Sequence, residues 1–155
     1  MGTKHLAALT SLLVAACSST GPGKLSTDRP NETSRDKYVI VRNDNGGDVV
    51  AYALVAAKLR QSGARVHISG KCLSACTVYL TLPARQVCIV PGTMFGFHSP
   101  IRSSARGLAT ARNYLLSNYP PWVREWIAVQ GGLSSKLITM DYGYASQHLK
   151  TCSGA

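Results

Sequence analysis

Acidic residues are scarce in this chain. Its 155 residues hold seven Asp and Glu against 17 Lys and Arg, a net charge of +10. Five of the seven acids (Asp28, Glu32, Asp36, Asp44, Asp48) lie before residue 49. From Val49 onward 11 basic residues face only Glu125 and Asp141, so that stretch carries +9. A field of that sign favours anionic partners. Seven Pro and 14 Gly are too few for a collagen-like or low-complexity chain. With 45% hydrophobic and 15% charged residues, disorder throughout is excluded. No internal repeat occurs. No run of 18 apolar residues occurs either, so no transmembrane helix is expected.

What is present begins with a shorter apolar run. Lys4 and His5 precede Leu6 to Ala16, 11 mostly apolar residues, which read as a signal-peptide h-region. The run ends in Val14-Ala15-Ala16-Cys17, similar to a bacterial lipobox. Cleavage before Cys17 and acylation of its sulfur would anchor the protein to a membrane. Ser18 is not an inner-membrane retention Asp, which points to the outer membrane where the cell has one. Residues 1–16 are thus expected to be a lipoprotein signal peptide. Residues 17–37, polar and rich in Ser and Thr, would form a flexible tether. A domain would fill residues 38–152.

Export sets nucleic acid aside as a partner. It also reinterprets the cysteines. Cys72, Cys76, Cys88 and Cys152 are an even set in an oxidising compartment, so two disulfides are expected, with three connectivities open. A four-thiolate zinc site is the lesser reading, because the spacing repeats no CxxC knuckle. No metal or cofactor is expected.

Along the domain, strand and helix patterns alternate. Lys37–Arg42 reads as a buried strand, and Asp48–Gln61 as a helix ended by Ser62-Gly63. Ala64–Ser69 reads as a strand, and Ser74–Leu82 as a buried helix stopped by Pro83. Gln86–Val90 and Met94–Phe97 read as strands. Ser103–Ser117 and Pro121–Gln130 read as helices, and residues 133–139 as helical. The alternation predicts an α/β fold, a mostly parallel sheet with crossover helices.

Chemistry-bearing residues gather at three joints. Asn45-Gly46-Gly47-Asp48 lies between a strand and a helix, where glycines let backbone N–H groups approach an anion. Ser74 opens a buried helix; a serine there is a helix cap or a nucleophile. His98 follows a strand and is the best-placed base of the four histidines. Cys76, two residues after Ser74, is a rival nucleophile if it is not bridged.

Together the three joints resemble one family. NGGDVVAYALVAAKL followed by RVHISGKCLSACTVYLTLPARQVCIVPGTMFGFHSP resembles the core of the Clp protease proteolytic subunit and its crotonase-like relatives. It is more similar still to small exported relatives with C-x-S-A-C-T and G-F-H segments. The resemblance spans about residues 38–118 and implies a ClpP/crotonase-like fold. It implies Ser74 as nucleophile, His98 as base, and oxyanion donors at Gly46, Gly47 and Ala75. The family triad ends in an acid well after the His. Asp141 is the candidate, although its surroundings do not match the family segment. The implied function is a membrane-anchored serine hydrolase, peptidase-like, of the bacterial cell envelope, facing the periplasm. The alternative is an inactive envelope lipoprotein that binds a peptide or anionic ligand. A crotonase-type acyl-CoA enzyme ranks below both, since export separates it from CoA. Arg102, Arg106 and Arg112 are the candidates for an anion-binding face.

Overall fold

β-Branched and aromatic runs build the sheet, and the segments between them cross over it. The computed structural model describes residues 38–101 and 105–153, all within one compact unit. In order these are β1 (Tyr38–Asp44), α1 (Val49–Ser62), β2 (Arg65–Leu73) and a 3-10 helix (Ser74–Thr81). After a 3-10 turn (Ala84–Gln86) come β3 (Val87–Ile89), β4 (Met94–Phe97), α2 (Ala105–Asn118) and α3 (Pro121–Val129). β5 (Ile138–Met140), α4 (Tyr142–Ala145) and β6 (Lys150–Thr151) complete it. The expected signal peptide, Cys17, the tether and Arg102 lie outside the described residues. No described helix is long and apolar enough to cross a membrane.

β2 is the hub. Val66 pairs with both Val39 of β1 and Val87 of β3, and Cys72 with both Asp44 of β1 and Phe95 of β4. β1 therefore occupies one edge of β2, while β3 and β4 follow each other along the opposite edge. β6 adds to β3 and β5 to β4. All pairings are parallel except β4 with β5. Laying two strands end to end along one long, twisting neighbour curls the sheet. The result is the mixed α/β, mostly parallel architecture that the alternation predicts.

The core follows the strand period. Val66 and Ile68 of β2, and Phe95 and Phe97 of β4, are buried; each such side chain contributes about 2 kcal/mol by leaving water. The 3-10 helix is buried on all sides from Ala75 to Leu80. α1 is more superficial and buries only Ala56 and Leu59. It starts where Asp48 Oδ1 accepts the Ala51 N–H at 2.8 Å.

Three expectations change. β1 is not a buried strand: only Val41 is enclosed, because β1 pairs on one side and Tyr38, Val39 and Ile40 remain exposed. β2 does not stop at Ser69. Gly70, at φ +67°, keeps the chain in the sheet beside a register shift in β1, and Asn43 Oδ1 accepts the Lys71 N–H there. Residues 133–139 are not helical. Ile138–Met140 pairs antiparallel with β4, because β4 offers an open ladder of backbone groups and tertiary pairing overrides local pattern.

The disulfides are Cys72–Cys76 and Cys88–Cys152. With both thiols of each pair joined, Cys76 is no nucleophile. His67, which lies close to Cys88 and Cys152, has no thiolates beside it to share a metal. The two bridges close loops of very different length, with sequence separations of 4 and 64. Chain entropy assigns about 2 kcal/mol to the short one and about 4 kcal/mol to the long one. Urea unfolding should therefore show Cys88→Ala/Cys152→Ala losing about twice as much stability as Cys72→Ala/Cys76→Ala. Equal losses would contradict the loop-closure account.

Candidate active site

One cleft of about 1070 Å³ collects the three joints. Gly46, Gly47, Ser74 and His98 all line it. The first turn of α1 forms one wall with Val49, Val50 and Ala53. The opposite wall is one face of α2: Arg106 and Gly107, Thr110 and Ala111, then Tyr114. Spacings of three and four residues put these on the same stripe.

Ser74 stands at the head of the 3-10 helix with φ +54°, in the left-handed region. A non-glycine residue there costs about 1–3 kcal/mol and is held only by its surroundings. Those surroundings are specific. The Cys72–Cys76 bridge spans the turn, and Thr77 Oγ1 donates to the Ser74 carbonyl at 2.6 Å. Ser74 is not a helix cap. The cap position is Leu73, without a side-chain bond, and Ser74 Oγ makes no hydrogen bond among the described residues. The Ala75 N–H belongs to the first turn, where helix geometry provides no acceptor.

Gly46 presses against this turn. At φ +81°, a Cβ on it would lie 2.5 Å from the Leu73 carbonyl oxygen and 2.7 Å from the Ala75 nitrogen. Its own N–H donates to Asp44 Oδ1 at 2.7 Å. Gly46 is therefore not an oxyanion donor as the resemblance implied; it permits close approach. Gly47 lines the cleft, and Ala75, the next residue after Ser74, is buried beneath the turn.

His98 follows β4 and is half-buried in the cleft. Its Nδ1 lies 2.6 Å from the Ser99 carbonyl oxygen. A carbonyl only accepts, so Nδ1 carries the hydrogen and Nε2 of the neutral ring is left as a lone-pair acceptor. The Ser99 N–H donates in turn to the Ser134 carbonyl at 2.7 Å, which fixes the loop. No hydrogen bond joins Ser74 to His98 among the described residues.

Asp141 does not reach His98. Phe97 pairs with Ile138 and Phe95 with Met140 in antiparallel register, which puts Asp141 level with Met94, at the opposite end of β4 from His98. Four strand residues separate the two levels, about 13 Å. Asp141 Oδ1 instead accepts the Tyr144 N–H at 2.9 Å and caps α4. Antiparallel pairing carries the chain away from His98 before it reaches residue 141.

No protein-family model matches the chain, and no curated protein does. Among solved structures, it is similar to a point mutant of ClpP1 from Listeria monocytogenes, with a TM-score of 0.51 and 14% identity. The match covers 73% of this chain and 70% of the other. The fold is ClpP-like. At this identity the likeness extends to the fold alone.

Within this ClpP-like frame, two supports escaped the sequence analysis. Asp44 gathers the Gly46 N–H and the Tyr52 hydroxyl, the latter at 2.7 and 2.8 Å from its two oxygens. Burial, then the hydrogen bond to Asp44, pushes the Tyr52 phenol well above its usual pKa. An acid two residues before Gly46-Gly47 was the visible signal. The second support is Tyr119. Thr77 spends its hydrogen on the Ser74 carbonyl, so the Tyr119 hydroxyl, 2.6 Å away, is the donor to Thr77. Burial raises the Tyr119 pKa and keeps that donor protonated. The Tyr119 ring meets Phe97 edge-on at 5.8 Å, and Phe97 precedes His98. A buried chain of contacts thus ties the Ser74 turn to the His98 strand. Nothing in the sequence pairs residues 42 positions apart.

Among the described residues, the two arginines named for an anion-binding face lie in different places. Arg106 lines the cleft, whereas Arg112 lines a separate groove with Leu108, Asn113 and Leu116.

Proposed function

We propose that this protein is a serine hydrolase, peptidase-like, of the bacterial cell envelope, anchored through acylated Cys17 and facing the periplasm. The observation that carries the reading is Ser74: a left-handed serine at the head of a buried helix, its hydroxyl unspent among the described residues, sharing one cleft with His98. The lipobox-like end of the apolar run supports the envelope placement.

In this reading Ser74 Oγ attacks a substrate carbonyl carbon while its proton passes to His98 Nε2. The carbonyl oxygen becomes an oxyanion held by the Gly47 and Ala75 N–H groups. Collapse breaks the bond to the leaving amine or alcohol, which takes the proton from His98, and leaves an ester on Ser74. Water then attacks that ester and gives a proton to His98. The acid is released, and the proton returns to Ser74. The Ser99 carbonyl holds the imidazolium through Nδ1–H, in the role an acid plays in a triad.

The absence of a carboxylate at His98 among the described residues favours the alternative of an inactive ligand-binding lipoprotein. Reactivity separates the two. Purified full-length protein should label with a fluorophosphonate probe at Ser74, seen by peptide mass spectrometry, and Ser74→Ala should not label. A folded wild type that neither labels nor cleaves peptide or ester would leave the binding reading standing.

A further inference from the structure

Among the described residues the cleft carries one cation, and none of them neutralises it. Arg106 lines the α2 wall, and its guanidinium has no partner among the described residues. Among the described residues the only acid on the lining is Asp48, whose Oδ1 already accepts the Ala51 N–H at the head of α1. The amides at that helix end add positive potential on the facing wall. Between the two walls the surface is largely apolar or small: Val49, Val50, Ala53, Ile101 and Ala111.

An apolar trough with one forked cation selects for a particular ligand. The apolar wall takes a carbon chain, and the guanidinium pairs best with a carboxylate, through two parallel N–H donors. The scarcity of acids after residue 48 leaves little to compete for it. We infer that the substrate is a carboxylate-bearing acyl compound, bound with its carboxylate on Arg106 and its reacting carbonyl at Ser74. This rests on the hydrolase reading above. In a peptide the carboxylate comes from an acidic side chain or from the C-terminus.

The test uses the full-length protein and a defined peptide library in matched pairs. Each pair carries Glu or the isosteric Gln at one position, with amidated C-termini, and a second set carries Gln throughout with free C-termini. Products are read by mass spectrometry. Wild type should cleave the best Glu peptide about tenfold faster than its Gln partner at low salt. The preference should shrink as salt screens the partly exposed pair. Because the ratio is taken within each variant, it is independent of that variant's basal rate. Arg106→Gln should bring it to about one, and Arg106→Glu should invert it. Preference for the free C-terminus over the amide identifies that carboxylate as the source. In wild type, a Glu/Gln ratio near one together with no preference for the free C-terminus overturns the inference while the hydrolase reading stands, and so does a preference that survives in Arg106→Gln. If wild type neither labels nor cleaves, the hydrolase reading falls. Binding of the fluorescein-labelled Glu peptide then decides the carboxylate site: loss in Arg106→Gln sustains it, and absence of binding to wild type overturns it.

Discussion

His98→Ala should slow fluorophosphonate labelling of Ser74 by about a thousandfold, whereas Asp141→Asn should leave it within about twofold. The contrast follows from β4. His98 stands beyond the end of that strand that enters the cleft, with its Nδ1 on the Ser99 carbonyl. Asp141 stands level with the other end and is spent on the Tyr144 N–H. Removing an orienting triad acid costs about ten thousandfold in rate, so Asp141→Asn is a sharp measurement. A loss of that size would mean that Asp141 reaches His98 in the reacting protein. Asp141→Ala adds a separate readout. It removes the cap of α4, at about 1 kcal/mol in stability, and again spares labelling. Asn retains a capping oxygen and should melt like the wild type.

The second large effect belongs to Gly46→Ala. A methyl group there would meet the Leu73 carbonyl oxygen at 2.5 Å, the Ala75 nitrogen at 2.7 Å and Ser74 Cβ at 2.8 Å. Two of these are backbone atoms, in a turn already closed by the Cys72–Cys76 bridge. They have no rotamer by which to retreat. A left-handed alanine adds about 1–2 kcal/mol. With the overpacking, a loss of about 3 kcal/mol or more is expected, seen as a melting point lower by about 10 °C. The turn must move for the methyl to fit, so labelling at Ser74 should fall by about a hundredfold or more even in the folded fraction. Gly47→Ala is the control for stability. Its added methyl meets only the Tyr52 ring, at 3.7 Å, and the variant should melt within about 2 °C of wild type. A stable Gly46→Ala that labels at the wild-type rate would show that the close approach does not position the nucleophile.

The residues behind these predictions mark where sequence reasoning reached and where it stopped. Gly46, Ser74 and His98 were legible because each lies at a boundary of periodic patterns. β-Branched runs, an Asp-capped helix and a proline stop place those boundaries within a few residues of their observed positions. The α/β alternation was legible for the same reason. A long-range partner was not. The Tyr119 hydroxyl reaches Thr77 across 42 residues, and no local pattern encodes that distance. Asp141 was proposed for lying downstream of His98, but order along a chain says nothing about register.

The sequence by itself determined most elements as far as α3 and the three joints, since helix and strand periods, caps and breakers act over a few residues. It also made two disulfides the expectation, from an even set of thiols. Only the tertiary structure decided which cysteines pair, that the Gly46 N–H turns to Asp44, and that residues 138–140 form a strand on β4. It alone decided that Asp141 ends up away from the cleft and Arg106 on its wall. Each of those depends on which backbone edges and side chains meet after the sheet curls, and that is set by the packing of the whole chain rather than by any short stretch of it.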